Sequence, residues 1–106
     1  MSILVSIEEL PERLADFGAG YLLTTQDGRI KIVSVRPQWR GARLEVAAPG
    51  PGTLRNLAAN ATVSLVFPPT DPQAPGQHSL IIDGQAEAVG DDVLIVPTAA
   101  VLHRPA

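Results

Sequence analysis

Residues 20–67 read GYLLTTQDGRIKIVSVRPQWRGARLEVAAPGPGTLRNLAANATVSLVF, and their order decides the fold. Tyr21–Thr25 is a first strand. Gln26-Asp27-Gly28-Arg29 carries the Asp-Gly pair of a two-residue hairpin, whose central residues need positive φ. Ile30–Arg36 returns as a second, β-branched strand. It alternates Ile30, Ile32, Ser34 and Arg36 on one side with Lys31, Val33 and Val35 on the other. Pro37 lacks an N–H and so ends this strand or marks a bulge. Trp39-Arg40-Gly41-Ala42 turns the chain into a third strand, Arg43–Ala48. Pro49-Gly50-Pro51-Gly52 then leads into a short helix, Thr53–Ala59, which stops at a left-handed Asn60. Thr62–Phe67 is a fourth strand. A helix that starts straight after a glycine-rich loop presents free N–H groups, the geometry that suits an anion such as phosphate.

Upstream of this stretch, Ser6-Ile7-Glu8-Glu9 fits a capping box, and Leu10, Leu14 and Phe17 form one apolar helical stripe. Pro11 is unfavourable inside a helix, so the helix starts either after Ser6 or at Pro11, and it stops by Gly18. Downstream, Pro68–Gly76 holds four prolines and reads as an extended or mobile loop. Ser79–Val89 is a fifth strand, with Gly84 marking a bulge or a close backbone approach. Gly90-Asp91-Asp92 turns the chain, Val93–Val96 begins the last strand, and Val101-Leu102-His103 continues it after Pro97. Five or six short strands with one tiny helix predict a mainly β meander closed as a small barrel, a single domain over residues 1–106. Ile32 and Val33, Val63 and Val66, and Ile81 and Ile82 make strands apolar on both faces, and a barrel this small has one inside. The surplus face predicts a homodimer, built on the outer faces of the second, third and fifth strands.

Composition narrows the function classes. The chain is 45% hydrophobic and 18% charged with a net charge of −3, so no global basic field recruits nucleic acid or anionic lipid. It has no cysteine, which removes disulfides, thiolate catalysis and zinc-thiolate sites. No apolar run approaches the ~20 residues of a membrane span, and Met1–Ser6 lacks the basic region and long apolar run of a signal peptide. The expectation is a soluble cytoplasmic protein. No Ser/His/Asp arrangement, carboxylate pair or metal-ligand spacing appears, and His78 and His103 stand alone.

The order of strand, Asp-Gly hairpin, Ile30–Trp39, strand, Thr53-Leu54-Arg55-Asn56-Leu57 and Val63–Phe67 resembles the pyridoxamine 5′-phosphate oxidase-like FMN-binding split barrels. Ile82-Asp83-Gly84-Gln85-Ala86-Glu87 resembles that family's next strand, with its Gly-x-Ala element. Val96-Pro97-Thr98 and Leu102-His103-Arg104-Pro105 are similar to the closing residues of a small subgroup. The resemblance spans about Leu14 to Val96. It implies a six-stranded Greek-key barrel dimer with FMN in two grooves at the interface. It implies basic contacts from Lys31 and Arg36, backing of the ring and ribityl chain by Val33, Ser34 and Val35, and third-strand contacts from Val46 and Ala47. At the helix start, flavin-binding members commonly carry a hydroxyl-plus-basic trio such as Ser-Arg-Lys, where this chain has Pro51-Gly52-Thr53. Two positive charges are missing there, so Thr53 and the free helix N–H groups would bind phosphate more weakly unless Arg36 or Arg55 takes it over.

Several residues keep two readings. Arg36 fits either a phosphate clamp or an ion pair at a dimer edge. Arg55 either replaces the missing charges beside Thr53 or stands in solvent. Alternation sets Lys31 and Arg36 on opposite faces, so without a bulge they do not serve one ligand. Trp39, with Arg36, Arg40 and Arg43 nearby, either stacks on a flat ligand or covers the barrel end. Three functions follow: an FMN-dependent oxidoreductase whose chemistry belongs to the cofactor; a split barrel that has exchanged FMN for F420 or haem; or an interaction module with an empty groove.

Overall fold

The structure, a computed structural model, describes residues 2–71 and 73–104. Eight strands and two short helices lie among them: β1 (Ser2–Val5), α1 (Leu10–Leu14), β2 (Gly20–Gln26), β3 (Arg29–Val35), β4 (Gln38–Arg40), β5 (Arg43–Val46), α2 (Pro51–Ala59), β6 (Thr62–Phe67), β7 (Ser79–Val89) and β8 (Asp92–His103). Pairing is antiparallel along the path β3-β2-β6-β7-β8-β5-β4, and β1 adds to β8. The path stays open, with β3 at one end and β4 at the other, so the closed six-stranded barrel expected from the sequence is corrected to an eight-stranded open sheet.

The two additional strands are β1 and β4. Ser2–Val5 has no signal of its own beyond three apolar residues, and it exists as a strand because the second half of β8 offers it a free edge. Pro37 stops β3, but the chain re-enters extended conformation one residue later and pairs Trp39 with Leu44 across a tight turn at Gly41. The expected hairpin at Asp27-Gly28 forms with φ of 52° and 76°, the paired positive values of a turn that matches strand twist.

Pro97 does not interrupt β8. It sits opposite Gly84, where the register slips so that Asp83 faces Ala99. Thr98 is thereby left without an opposite residue, and its hydroxyl donates to the Asp83 carbonyl at 3.2 Å. The missing proline N–H falls at this bulge, where the ladder is already broken. The helix boundaries move for similar local reasons. Ser6 and Glu9 make their reciprocal contact, Glu9 N donating to Ser6 Oγ at 3.2 Å, but in a turn ahead of α1. The helix itself begins at Leu10, with Pro11 in the first turn where its missing donor costs nothing. α2 begins at Pro51 for the same reason, two residues ahead of the expected Thr53. Asn60 is extended, with φ −149°, and not left-handed. Its amide bridges instead, donating to Thr25 Oγ1 at 2.8 Å and accepting from Thr62 N at 3.0 Å.

One core cluster draws Val5 from β1, Leu10 from α1, Leu22 from β2, Val35 from β3, Leu44 and Val46 from β5, Leu57 from α2, and inward residues of β6, β7 and β8. A flat sheet cannot gather residues from all these strands into one cluster, so the sheet curls around it. Outward residues form a second apolar feature. Register places Leu4, Val101, Ile81, Val66 and Tyr21 side by side across β1, β8, β7, β6 and β2. Leu4 is 85% exposed, and Ile30 and Ile32 on β3 extend the surface at 64% and 59%. β3 thus carries the apolar outer face expected of it, and β7 does so at Ile81 and Val89, its other outward residues Asp83, Gln85 and Glu87 being polar. β5 does not, because its outward residues are Arg43 and Glu45, each in an ion pair. No helix among the described residues is long and apolar enough to cross a membrane.

Candidate functional site

α2 is fixed in place before anything else about the site. Its Thr53 and Leu57 are buried, and Asn56 Nδ2 donates to Thr24 Oγ1 at 3.1 Å, which ties the helix to the inner side of β2. The loop ahead of it turns through Ala48, at φ 42°, and Gly50, at φ 105°. Ala48 N donates to Asp92 Oδ1 at 2.9 Å, so the start of β8 holds this strained turn. Gly50 caps α2 without a side-chain hydrogen bond, and the first turn holds no acidic residue. The leading N–H groups and the positive end of the helix dipole are therefore available to an anion.

Register then brings a cation to that end. Lys31 lies directly opposite Thr24, so both face the side on which α2 packs. The lysine chain crosses the first helical turn so closely that a Cβ on Gly52 would lie 2.9 Å from Cε and 3.2 Å from Nζ. Glycine at position 52 is what leaves room for it. Arg29, on the same face of β3 as Lys31, and Arg55, one helical turn beyond Pro51, line the same cavity of about 720 Å³. Gln26, Asn56 and a single carboxylate, Asp27, complete its polar wall. The ion pairs among the described residues engage Arg13, Arg40 and Arg43, and none engages Arg29, Lys31 or Arg55. Three cations that line a cavity at a helix N-terminus favour an anion there. Such a concentration stands out in a protein whose net charge is −3.

The expected site residues divide among three places. Lys31 and Arg55 meet in this cavity. Val35 and Val46 are 6% and 2% exposed, core residues with no surface for a ligand within the single chain, and Val33 is half-buried against the same core. Ser34 faces outward beside Tyr21, Ala47 is exposed just ahead of the strained turn, and Arg36 lines a different cavity with Trp39. Thr53 is fully buried and its hydroxyl has no hydrogen-bond partner among the described residues, so it does not replace a basic side chain at the surface. Sequence reasoning missed Arg29, although Arg29 and Lys31 stand two apart in an alternating strand and so share a face. No cluster of three or more His, Asp or Glu among the described residues is placed to hold a metal ion.

No family profile matches the chain. Two curated proteins do: the uncharacterized proteins Mb0449c of Mycobacterium bovis and MT0457 of Mycobacterium tuberculosis. Each is 37% identical over 96% of this chain and 82% of its own length. Among solved structures, a FAD-binding protein of Mesorhizobium loti superposes with a TM-score of 0.71 at 18% identity, covering 98% of this chain and 99% of its own. A Corynebacterium glutamicum protein provisionally named a pyridoxamine 5′-phosphate oxidase gives 0.72 at 14% identity, over 96% and 98%. The chain belongs to one family with these two mycobacterial proteins, and it shares the fold of the FAD-binding and pyridoxamine 5′-phosphate oxidase-like structures. A structure titled F420 reductase shares the fold with a TM-score of 0.64 at 21% identity, over 84% of this chain and 94% of its own.

A positive charge thus reaches the start of α2 from the neighbouring strand. Lys31 occupies the space above Gly52, the position at which the resemblance to flavin-binding split barrels implies a basic helical side chain. A methyl group at position 52 displaces the flexible end of Lys31 with little change in the fold. Gly52→Ala is therefore expected to leave the unfolding free energy within about 0.5 kcal/mol of the parent. It is also expected to weaken binding of an anion such as inorganic phosphate by about tenfold, or about 1.4 kcal/mol. Calorimetric titration with thermal denaturation checks both; unaltered binding would show that Lys31 does not need its present path.

Proposed function

We propose that the protein is a cytoplasmic, homodimeric FMN-binding oxidoreductase whose cofactor phosphate is held by Lys31, Arg55, Arg29 and the leading N–H groups of α2. The observation that carries this reading is three cations, none in an ion pair among the described residues, lining one cavity at an uncapped helix N-terminus. The residues present fit a phosphate: a helix N-terminus and multiple cationic donors are the common elements of phosphate sites. FMN, when bound, supplies hydride or electron transfer. The protein's own residues anchor and orient it, and the absence of a catalytic triad or acid–base pair agrees with that division of work. The homodimer rests on the apolar row through Leu4, Ile81 and Tyr21 and on exposed Ile30 and Ile32, which lie on the outer side of the strand that carries Lys31.

A second reading keeps the groove and changes the flavin. Pro51-Gly52-Thr53 in place of the hydroxyl-plus-basic trio, together with the F420 reductase fold neighbour, favours the deazaflavin F420, whose phosphodiester meets the same cations. Haem finds less support, since no histidine lines the groove among the described residues. Titration of the purified protein with FMN, followed by flavin fluorescence, tests the first reading. A saturable change is expected in the micromolar range or below; no change up to about 1 mM, a standard free energy of about −4 kcal/mol, overturns it. The same titration with F420 separates the two cofactors.

A further inference from the structure

A second concave site lies at the other end of β3 and does not depend on the cofactor reading. There Arg36 and Pro37 leave the strand, Trp39 begins β4, and α1 with the residues after it folds over the gap. The cavity measures about 310 Å³ and is walled by Leu14, Phe17, Pro37, Trp39 and Phe67, with Arg36 as its charged residue. No acidic residue lines it, and Arg36 makes no ion pair with a described residue. Phe67 is 1% exposed and forms a rigid wall, while Phe17 and Trp39 are partly buried and keep ring surface toward the opening. Lys31 and Arg36 are five residues apart, about 17 Å along an extended strand, and on opposite faces, so the two cavities take separate ligands.

We infer that this pocket binds a small planar carboxylate, a one- or two-ring aromatic or heteroaromatic acid. An aromatic-walled cavity with one convergent polar group is the usual make-up of a small-molecule site. A cavity of about 150 Å³ accepts benzene, so this one is large enough for one or two rings. Flat rings stack on Trp39 and Phe17, and the arginine fork matches a carboxylate bidentately. One cation suits a monoanion better than a phosphate dianion, which separates this site from the α2 groove by charge as well as position.

Trp39 is the protein's single tryptophan, so its indole N–H is an unambiguous probe. The experiment follows that signal by NMR in the full-length protein, titrated with benzoate and 2-naphthoate and with their uncharged amides. A saturable shift is expected with both acids, at least tenfold weaker with the amides and in Arg36→Gln. Lys31→Gln is expected to leave the titration unchanged, and inorganic phosphate to leave the indole signal in place. Arg36 is exposed, so Arg36→Gln keeps the parent's melting temperature and its result reads binding alone. The inference is overturned if no acid gives a saturable shift, if amides bind as well as acids, if Arg36→Gln binds normally, or if Lys31→Gln abolishes the effect.

Discussion

Replacing Lys31 and Arg55 together by glutamine is expected to weaken FMN binding by about a hundred- to ten-thousandfold. Each removes a charge-assisted hydrogen bond to phosphate, about 1.5–3 kcal/mol, and each 1.4 kcal/mol is about tenfold. Both side chains line the cavity beside Gly52, and neither has an ion-pair partner among the described residues whose charge would be left unpaired. The fold is therefore expected to be unharmed or slightly stabilised, because two cations leave a positively charged helix end. Raised ionic strength should weaken the parent more than the variant, since screening acts on the charges the variant lacks. Flavin titrations at two salt concentrations check both; a double variant that binds as tightly as the parent would remove this groove from the account.

Placing a lysine at the centre of the apolar row, with Ile81→Lys, is expected to convert the proposed dimer to a folded monomer. Ile81 faces outward between Val66 and Val101, so the change spares the core. In a two-fold interface the ammonium appears twice. Burying each without a partner costs a few kcal/mol, so association should weaken by about a thousandfold or more. Specific interfaces bury more than about 1,000 Å², and the five-strand row with Ile30 and Ile32 supplies the apolar part of such an area. Sedimentation at micromolar concentration should show a dimer for the parent and a monomer for the variant. A monomeric parent would remove the dimer from the account, and a variant that stays dimeric would move the interface away from this face.

Local signals made most of the strands legible. β6 and β7 follow the bounds that their β-branched runs and flanking prolines and turns set, and the Asp-Gly hairpin fixes β2 against β3. What the sequence hid depends on non-local pairing. β1 exists through its partner β8, and Pro97 is tolerated through a bulge opposite Gly84 that no local pattern around Pro97 announces. The site shows the same division. Lys31 and Arg55 were readable as cations on a strand and on the short helix, but their meeting in one cavity depends on the 24–31 register and on α2 lying over β2. Arg36, grouped with Lys31 by the family resemblance, lies at a separate cavity because strand alternation and distance part them. Val35 and Val46 point into the core, where burial outweighs any ligand role within one chain.

The central claim is that the groove recognises a phosphate on a flavin. Its most direct measurement compares the affinities of FMN and riboflavin, which share the ring and ribityl chain and differ in the phosphate alone. With Lys31, Arg55 and Arg29 on the phosphate, FMN is expected to bind at least about a hundredfold more tightly, the equivalent of about 3 kcal/mol. Equal affinities for the two, or tighter binding of riboflavin, would contradict the account.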